Sequence, residues 1–487
     1  MNGLAFAVLS GVLYFARGPA YPHPLPVLKP LRRTTHNGDN EDEDTPRLPP
    51  ELYTLIASHL STISSEDRQT LESCALVSSA WLLVSRKRLF GAVKLTYENV
   101  HTFLSLLEHP LCSFRGGMRV LKMREGEYMV DRWMNGVIPR LIDSLKRLRV
   151  RVKVLDIYDL TWAELNPTSA RAMKEGWEDV GVESLRVGTC YFECVHEFVG
   201  FVCSRSFGEV KHLVCDYVLL NCPGVDECEC GEMVNDDVGG VREEREALQV
   251  RGQIGVDGIL FRNSSFDDLA GASLPKTLES LQLSLPEESM LRWFVDQDAV
   301  RGLKRLGVSL KEETLLPVVD DLVAKTDEAL ENLVLDLPCG NDFSLSHNTS
   351  LRSLHLHISA PDPDSNPSLA RLISSISSQH LHTITFDIFY DIPYHSYGHD
   401  TAIKWVTQLG DTITPNPTIT KVVFFVRYSR VRCFKALRRI IRDEFSKGQS
   451  ARKAKARLRV RGAKVDGNYE DQWRREGEGE VWRSWIR

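Results

Sequence analysis

Seven of the eleven cysteines stand between Cys190 and Cys230, and metal binding is the first chemistry to test there. Zinc takes four ligands that converge as a tetrahedron, commonly from cysteine pairs about two to four residues apart. The tight group is Cys222, Cys228 and Cys230, with Cys215, His212 and His196 nearby. These spacings are not those of zinc knuckles. Cys190 and Cys215 also fall on apolar positions of a recurring pattern, where a cysteine packs as a small apolar side chain. No metal and no other cofactor is therefore expected. The chain has no nucleophile elbow, phosphate loop, dinucleotide fingerprint or His-Glu-x-x-His pair, so no catalytic residue is assigned and no enzyme activity is expected.

The recurring pattern is apolar-x-x-apolar-x-apolar. It runs from Met118/Leu121/Met123 through Val152/Leu155/Ile157 and Leu351/Leu354/Leu356 to Ile419/Val422/Phe424, eleven instances in all. Each instance reads as one strand with a return segment, which can bury its apolar side only against neighbouring units. Side chains alternate along a strand. The polar residues between or just after the apolar pair are therefore expected on the opposite, solvated face. They are Asp156, Tyr158, Arg186, Gln282, Asp336, His355, His357 and Asp387. Acidic residues and histidine dominate this set, which suits a target segment of basic character. The pattern resembles leucine-rich repeats, although the spacing is irregular and Cys190 alone supplies the Asn or Cys that closes a repeat. An ordinary α/β domain with several buried strands is the competing reading.

Before the repeats the period is helical. Pro49-Pro50 opens a helix, and Leu52, Leu55, Ile56 and Leu60 fall on one face. Ser64 and Asp67 have the spacing of a capping box, after which Leu71, Cys74, Ala75, Ser78, Trp81, Leu82 and Leu89 continue at helical intervals. Phe103, Leu106 and Leu107 suggest a linking helix within 96–117. The run Leu48-Pro49-Pro50-Glu51-Leu52, followed by Cys74-Ala75-Leu76-Val77-Ser78 and Trp81, resembles the F-box over 47–95, in particular its basidiomycete-type versions. The resemblance implies a helical module that binds a Skp-type adaptor, and through it a cullin–RING ubiquitin ligase. The adaptor contacts it implies are Leu48, Pro49, Leu52, Ile56, Leu71, Leu76 and Val77, with Trp81 in internal packing. So short a helical piece buries too little surface to stand alone, and its leftover apolar face suits a partner groove.

The expected fold is therefore mixed, α+β or α/β: a small helical F-box followed by an irregular leucine-rich-repeat-like solenoid over 118–430. The expected function is substrate recognition for a Skp–cullin–F-box ligase, with an unnamed protein target. A non-catalytic scaffold whose helices are only structural is the alternative.

The flanks are polar or basic. Residues 1–46 read as a leader ending in the run Glu41–Asp44, and Asp226 to Glu246 as an acidic insertion. Between Arg427 and Lys464 stand fifteen Lys or Arg and two acidic residues, which reads as a basic cap and tail over 431–487. The net charge of −6 gives no general pull toward nucleic acid or anionic membrane, and neither is an expected partner. The apolar stretch Leu4–Ala16 is shorter than the roughly 20 residues a membrane crossing needs, and no Lys or Arg precedes it. A cytoplasmic or nuclear location is expected. Secretion would be betrayed by glycan on Asn263 or Asn348.

Overall fold

The computed structural model describes residues 48–60, 65–110, 112, 114–126, 132–221, 272–310, 312–336, 343–358, 366–389, 399–413, 418–428, 431–449 and 457–464. The leader, the acidic insertion, Cys222, Cys228, Cys230, Asn263 and the apolar unit at 256–261 lie outside these residues.

Among the described residues the fold is α/β, with twelve helices and a sheet of twelve parallel strands. Two further short strands pair with each other. This overturns the expectation of a small helical F-box followed by a solenoid. The reason lies in the connections. They carry amphipathic helices of nine to nineteen residues in many of the strand-to-strand segments, where the solenoid reading asked for short returns. Parallel neighbours need such crossovers, and helices are the usual ones. The strands themselves fall on the apolar units, and Leu281, Leu306, Leu333, Leu354, Ile384 and Val422 are successive partners across the sheet.

The chain divides into two compact units. The first comprises Met1–Leu160 and Glu164–Val182. Its helices α1 (Pro50–His59), α2 (Ser65–Val77) and α3 (Ser79–Leu89) lead into strand β1 (Ala92–Leu95) and helix α4 (Val100–Glu108). Strand β2 (Val120–Arg124), helix α5 (Trp133–Arg147), strand β3 (Val154–Tyr158) and helix α6 (Pro167–Glu175) follow. The three N-terminal helices are not a separate module. Phe90, at the end of α3, stacks on Phe114 at 4.2 Å, and Phe114 in turn meets Phe103 of α4.

Helix α5 buries Met134, Val137, Ile138, Leu141, Ile142 and Leu145, a stripe set by the helical period. Pro139 sits inside it and has no N–H to give the Asn135 carbonyl. That carbonyl instead accepts from Ser169 Oγ at 2.8 Å and Asn166 Nδ2 at 3.1 Å. Asn166 also caps α6, its Oδ1 accepting from the Ser169 amide at 2.8 Å.

Glu108 joins α4 to α5. It accepts from both Arg140 nitrogens, at 3.2 and 2.7 Å, and from Ser144 Oγ at 2.7 Å. The Arg140 and Ser144 hydrogen bonds hold its carboxyl down at about 2. A depressed carboxylate stabilises the fold above its unfolded value, and that contribution is lost as pH falls. The unit is therefore expected to weaken between about pH 4.5 and pH 2 in part through Glu108. Acid titration of stability in Glu108→Gln should show a flatter slope there, and an unchanged slope would remove Glu108 from the account.

The second unit comprises Thr161–Ala163 and Glu183–Arg487. Its large sheet runs β4 (Ser184–Gly188), β6 (His212–Asp216), β8 (Ser280–Ser284), β9 (Arg305–Ser309) and β10 (Asn332–Asp336). It continues β11 (Ser353–Ile358), β12 (Thr383–Phe389), β13 (Lys421–Tyr428) and β14 (Arg457–Lys464). The short pair is β5 (Tyr191–Phe192) with β7 (Leu219–Leu220). Helices α7 (Val195–Val202), α8 (Glu288–Asp296), α9 (Leu316–Thr326), α10 (Asn366–Ser374), α11 (His399–Ile413) and α12 (Val431–Gln449) make the crossovers. The core is apolar and aromatic: Phe386 stacks on Phe424 at 5.2 Å, and Phe445 of α12 meets Phe424 edge-on. Residues 457–464, read from sequence as basic tail, add a strand at the edge of the sheet beside β13.

Asn348 is fully buried. Its amide donates to the Val323 carbonyl at 3.1 Å and the Asp327 carbonyl at 3.3 Å, satisfying carbonyls at the end of α9. A glycan cannot be carried on this side chain in this fold.

Candidate functional site

Two places gather the residues singled out from the sequence. The first is the outer surface of α1–α3. Inside, Leu71 is 0% exposed and packs with buried Ala57 and Ala75. Trp81 lies edge-on to Tyr53 with ring centroids 4.9 Å apart. Arg88 Nε donates to the Leu60 carbonyl at 3.2 Å, and its Nη2 to the Ser58 carbonyl at 3.3 Å, which ties the end of α1 to α3. Ser78 caps α3 by accepting from the Trp81 amide.

The inward face of α1 is thus Tyr53, Ala57 and Leu60. Its apolar stripe Leu48, Leu52, Leu55 and Ile56 faces away and stands exposed. Leu76 and Val77 end α2 in the open, and Leu83 of α3 is exposed as well. These seven, with Tyr97, are the large apolar side chains standing exposed among the described residues. Scattered single cases are ordinary, whereas a concentration of them marks an interaction surface. Pro49 is exposed beside them. Of the residues expected to meet an adaptor, Leu71 is the exception: it belongs to the packing between helices. Helical spacing identifies a face but does not say which of two faces looks outward.

The second place is on β10–β13. In register, Ser309, Asp336, His357 and Asp387 are successive partners on β9 to β12. His355 stands two residues before His357 and so shares its face. Asp387 is 1% exposed. Its Oδ2 lies 3.2 Å from His357 Nε2 and 3.7 Å from His355 Nε2. Arg427 of β13 closes on it in fork geometry, Nε to Oδ1 at 3.0 Å and Nη2 to Oδ2 at 2.6 Å. Ser309 Oγ donates to Asp336 Oδ2 at 2.9 Å. Burial acts to raise the Asp387 carboxyl, but His357, His355 and Arg427 outweigh it and hold the group well below the usual carboxylate range. Burial lowers the His357 imidazole by more than Asp387 and Asp336 raise it.

The outward, solvated face expected for the eight polar residues is therefore corrected in half of them. Asp156, Gln282, His355 and Asp387 are buried. Parallel strands stand about 4.8 Å apart, so long polar side chains on adjacent strands cover and neutralise one another. Asp156 pairs with Lys122 at 3.0 Å, and Arg186 with Asp216 at 2.9 Å. Tyr158, Arg186, Asp336 and His357 remain partly accessible. Arg427 was missed as a member of the cluster because its sequence neighbourhood reads simply as basic.

Cys190, Cys194 and Cys215 are buried, and burial pushes the Cys203 thiol up to about 12. Such thiols pack as apolar groups and are poor nucleophiles. Among the described residues no helix is long and apolar enough to cross a membrane. No protein-family model matches the chain, and no curated protein matches it.

Proposed function

We propose that this chain is a substrate-recognition subunit of a Skp–cullin–F-box ubiquitin ligase. Its α1–α3 surface docks on a Skp-type adaptor, and the unit containing Glu183–Arg487 captures the target. The observation that carries this reading is the exposed apolar set Leu48, Leu52, Leu55, Ile56, Leu76, Val77 and Leu83 on one stretch of helices. The order Leu-Pro-x-Glu-Leu and then Cys-x-Leu-Val-Ser-x-x-Trp supports the choice of adaptor. Groove-binding helices present anchors at intervals of three and four, as Leu48, Leu52, Leu55 and Ile56 do. On this reading the chain works in the cytoplasm or nucleus and performs no chemistry on the target itself. Arg186, Asp336 and His357 are the accessible members of the expected target-binding set.

The test is capture of a purified Skp-type adaptor. Leu52→Asp with Ile56→Asp should keep the fold, because both side chains are already exposed, and should weaken capture at least tenfold. If the parent chain fails to bind the adaptor, or the double variant binds as the parent does, the proposal is wrong.

A further inference from the structure

We propose that His355, His357 and Asp387 bind one divalent metal ion of the zinc type. One ligand atom from each residue lies within 4.8 Å of the other two. A tetrahedral zinc site, with bonds of about 2.0–2.1 Å, places its ligand atoms about 3.3 Å from each other. The separations here, 3.2 and 3.7 Å from Asp387 Oδ2 to the two imidazole Nε2 atoms, are already of that size. The three donors converge before any ion is considered.

His355 supplies a second, independent observation. Its side chain is 6% exposed, and its Nε2 is buried with no hydrogen-bond partner. A buried polar atom left unsatisfied is costly, and such atoms in a folded protein ask for an explanation. This one points toward the Asp387 carboxylate at a distance too long for a hydrogen bond. A metal ion between the two would satisfy it.

The charges agree. Asp387 and Asp336 act together on His357, against the single cation Arg427, so the cluster is net negative with neutral imidazoles. Arg427 does not compete for the whole carboxylate. Each carboxylate oxygen has two acceptor positions. Arg427 holds Oδ1 through Nε and one side of Oδ2 through Nη2, which fixes the plane of the group and leaves a lone pair on Oδ2 for an ion. Hydrogen-bonded partners behind a ligand commonly orient it in this way. Two imidazoles and one carboxylate suit zinc and its neighbours better than calcium or magnesium. Three protein ligands leave a fourth position for solvent or for a donor on a bound partner. His357 is the most accessible of the three, so the ion would enter on its side.

The experiment uses the full chain, stripped of metal and titrated with Zn2+ and with Co2+ as a spectroscopic probe. The expected result is one tight ion per chain and a tetrahedral Co2+ spectrum without thiolate-to-cobalt charge transfer. Binding should weaken about a hundredfold or more in His355→Gln and in His357→Gln, and should persist in a Cys222→Ser, Cys228→Ser, Cys230→Ser variant. Absence of binding by the parent overturns the proposal. So does a thiolate charge-transfer band, which reads the ligands in the parent even if a histidine variant fails to fold. Binding that survives both histidine substitutions overturns it too.

Discussion

Asp387→Ala is expected to destabilise the second unit by about 3–5 kcal/mol in metal-free protein, the usual effect of removing one partner from a buried ion pair. Asp387 is 1% exposed and Arg427 has little more access to water. Without the carboxylate, the guanidinium is left charged and unpaired among Phe425, His355 and His357, with Phe425 5.8 Å below it. Arginine cannot shed its proton to relieve this, since its pKa stays far above neutrality. Asp387→Asn keeps the shape but removes the charge, and should cost nearly as much. The double variant Asp387→Leu, Arg427→Met should recover most of the loss, because replacing both partners of a buried pair by apolar groups is often neutral or better. The two units need not unfold together, so a single melting curve is a poor readout. Hydrogen exchange of β11, β12 and β13 amides reports the right unit. If Asp387→Ala leaves their protection within about 1 kcal/mol of the parent, the pair is not a buried one and the cluster is more open than described. The same argument rules out charge reversal at Asp387 as a probe of target binding. Asp336 and Arg186, partly accessible, serve that purpose.

The strands were legible because each carries two apolar residues flanking one position, with a third apolar residue three places earlier. Phe90/Val93/Leu95 has that pattern as well and forms β1, but its place beside the helical stretch hid it. Strand β14 lacks the earlier apolar residue: Lys455 stands there, and Arg457, Arg459 and Arg461 alternate with Leu458 and Val460. Its apolar residues are few because an edge strand has a neighbour on one side only, and charged side chains keep such an edge from pairing with other chains. The class of fold was misread in the connections. The stripe from Met134 to Leu145 has a clear helical period, and weighing it would have filled the return segments with helices rather than short turns. The histidine–aspartate cluster could not be read at all. His357 and Asp387 meet only because β11 and β12 pair in one register across a long connection, and a slip of one residue would send the side chains to opposite faces.

The second large effect separates packing from docking within α1–α3. Leu71→Ala removes a side chain that is 0% exposed, and large-to-small changes at such sites cost about 2–5 kcal/mol. So few helices have little other core to draw on: the buried apolar partners on α1 and α2 are Ala57 and Ala75. The variant is therefore expected to lose the α1–α3 packing while β1–β3 persist, visible as lost amide protection confined to 50–89. Adaptor capture should fall with it, but only as a consequence of unfolding. Leu76→Asp with Val77→Asp is the contrasting variant. Val77 is 72% exposed, and substitutions at such positions usually shift stability by no more than about 0.5 kcal/mol. If these residues anchor a partner, their loss costs about 2 kcal/mol or more of binding, roughly thirtyfold, with protection of 50–89 unchanged. A Leu71→Ala chain with full protection would show that the helices pack differently from this description. A Leu76→Asp, Val77→Asp chain that is fully protected and still captures the adaptor at parental strength would remove the α2 end from the docking surface. Stability and capture must move separately in the two variants, because a side chain that supports the fold and one that meets a partner differ in which of the two measurements they control.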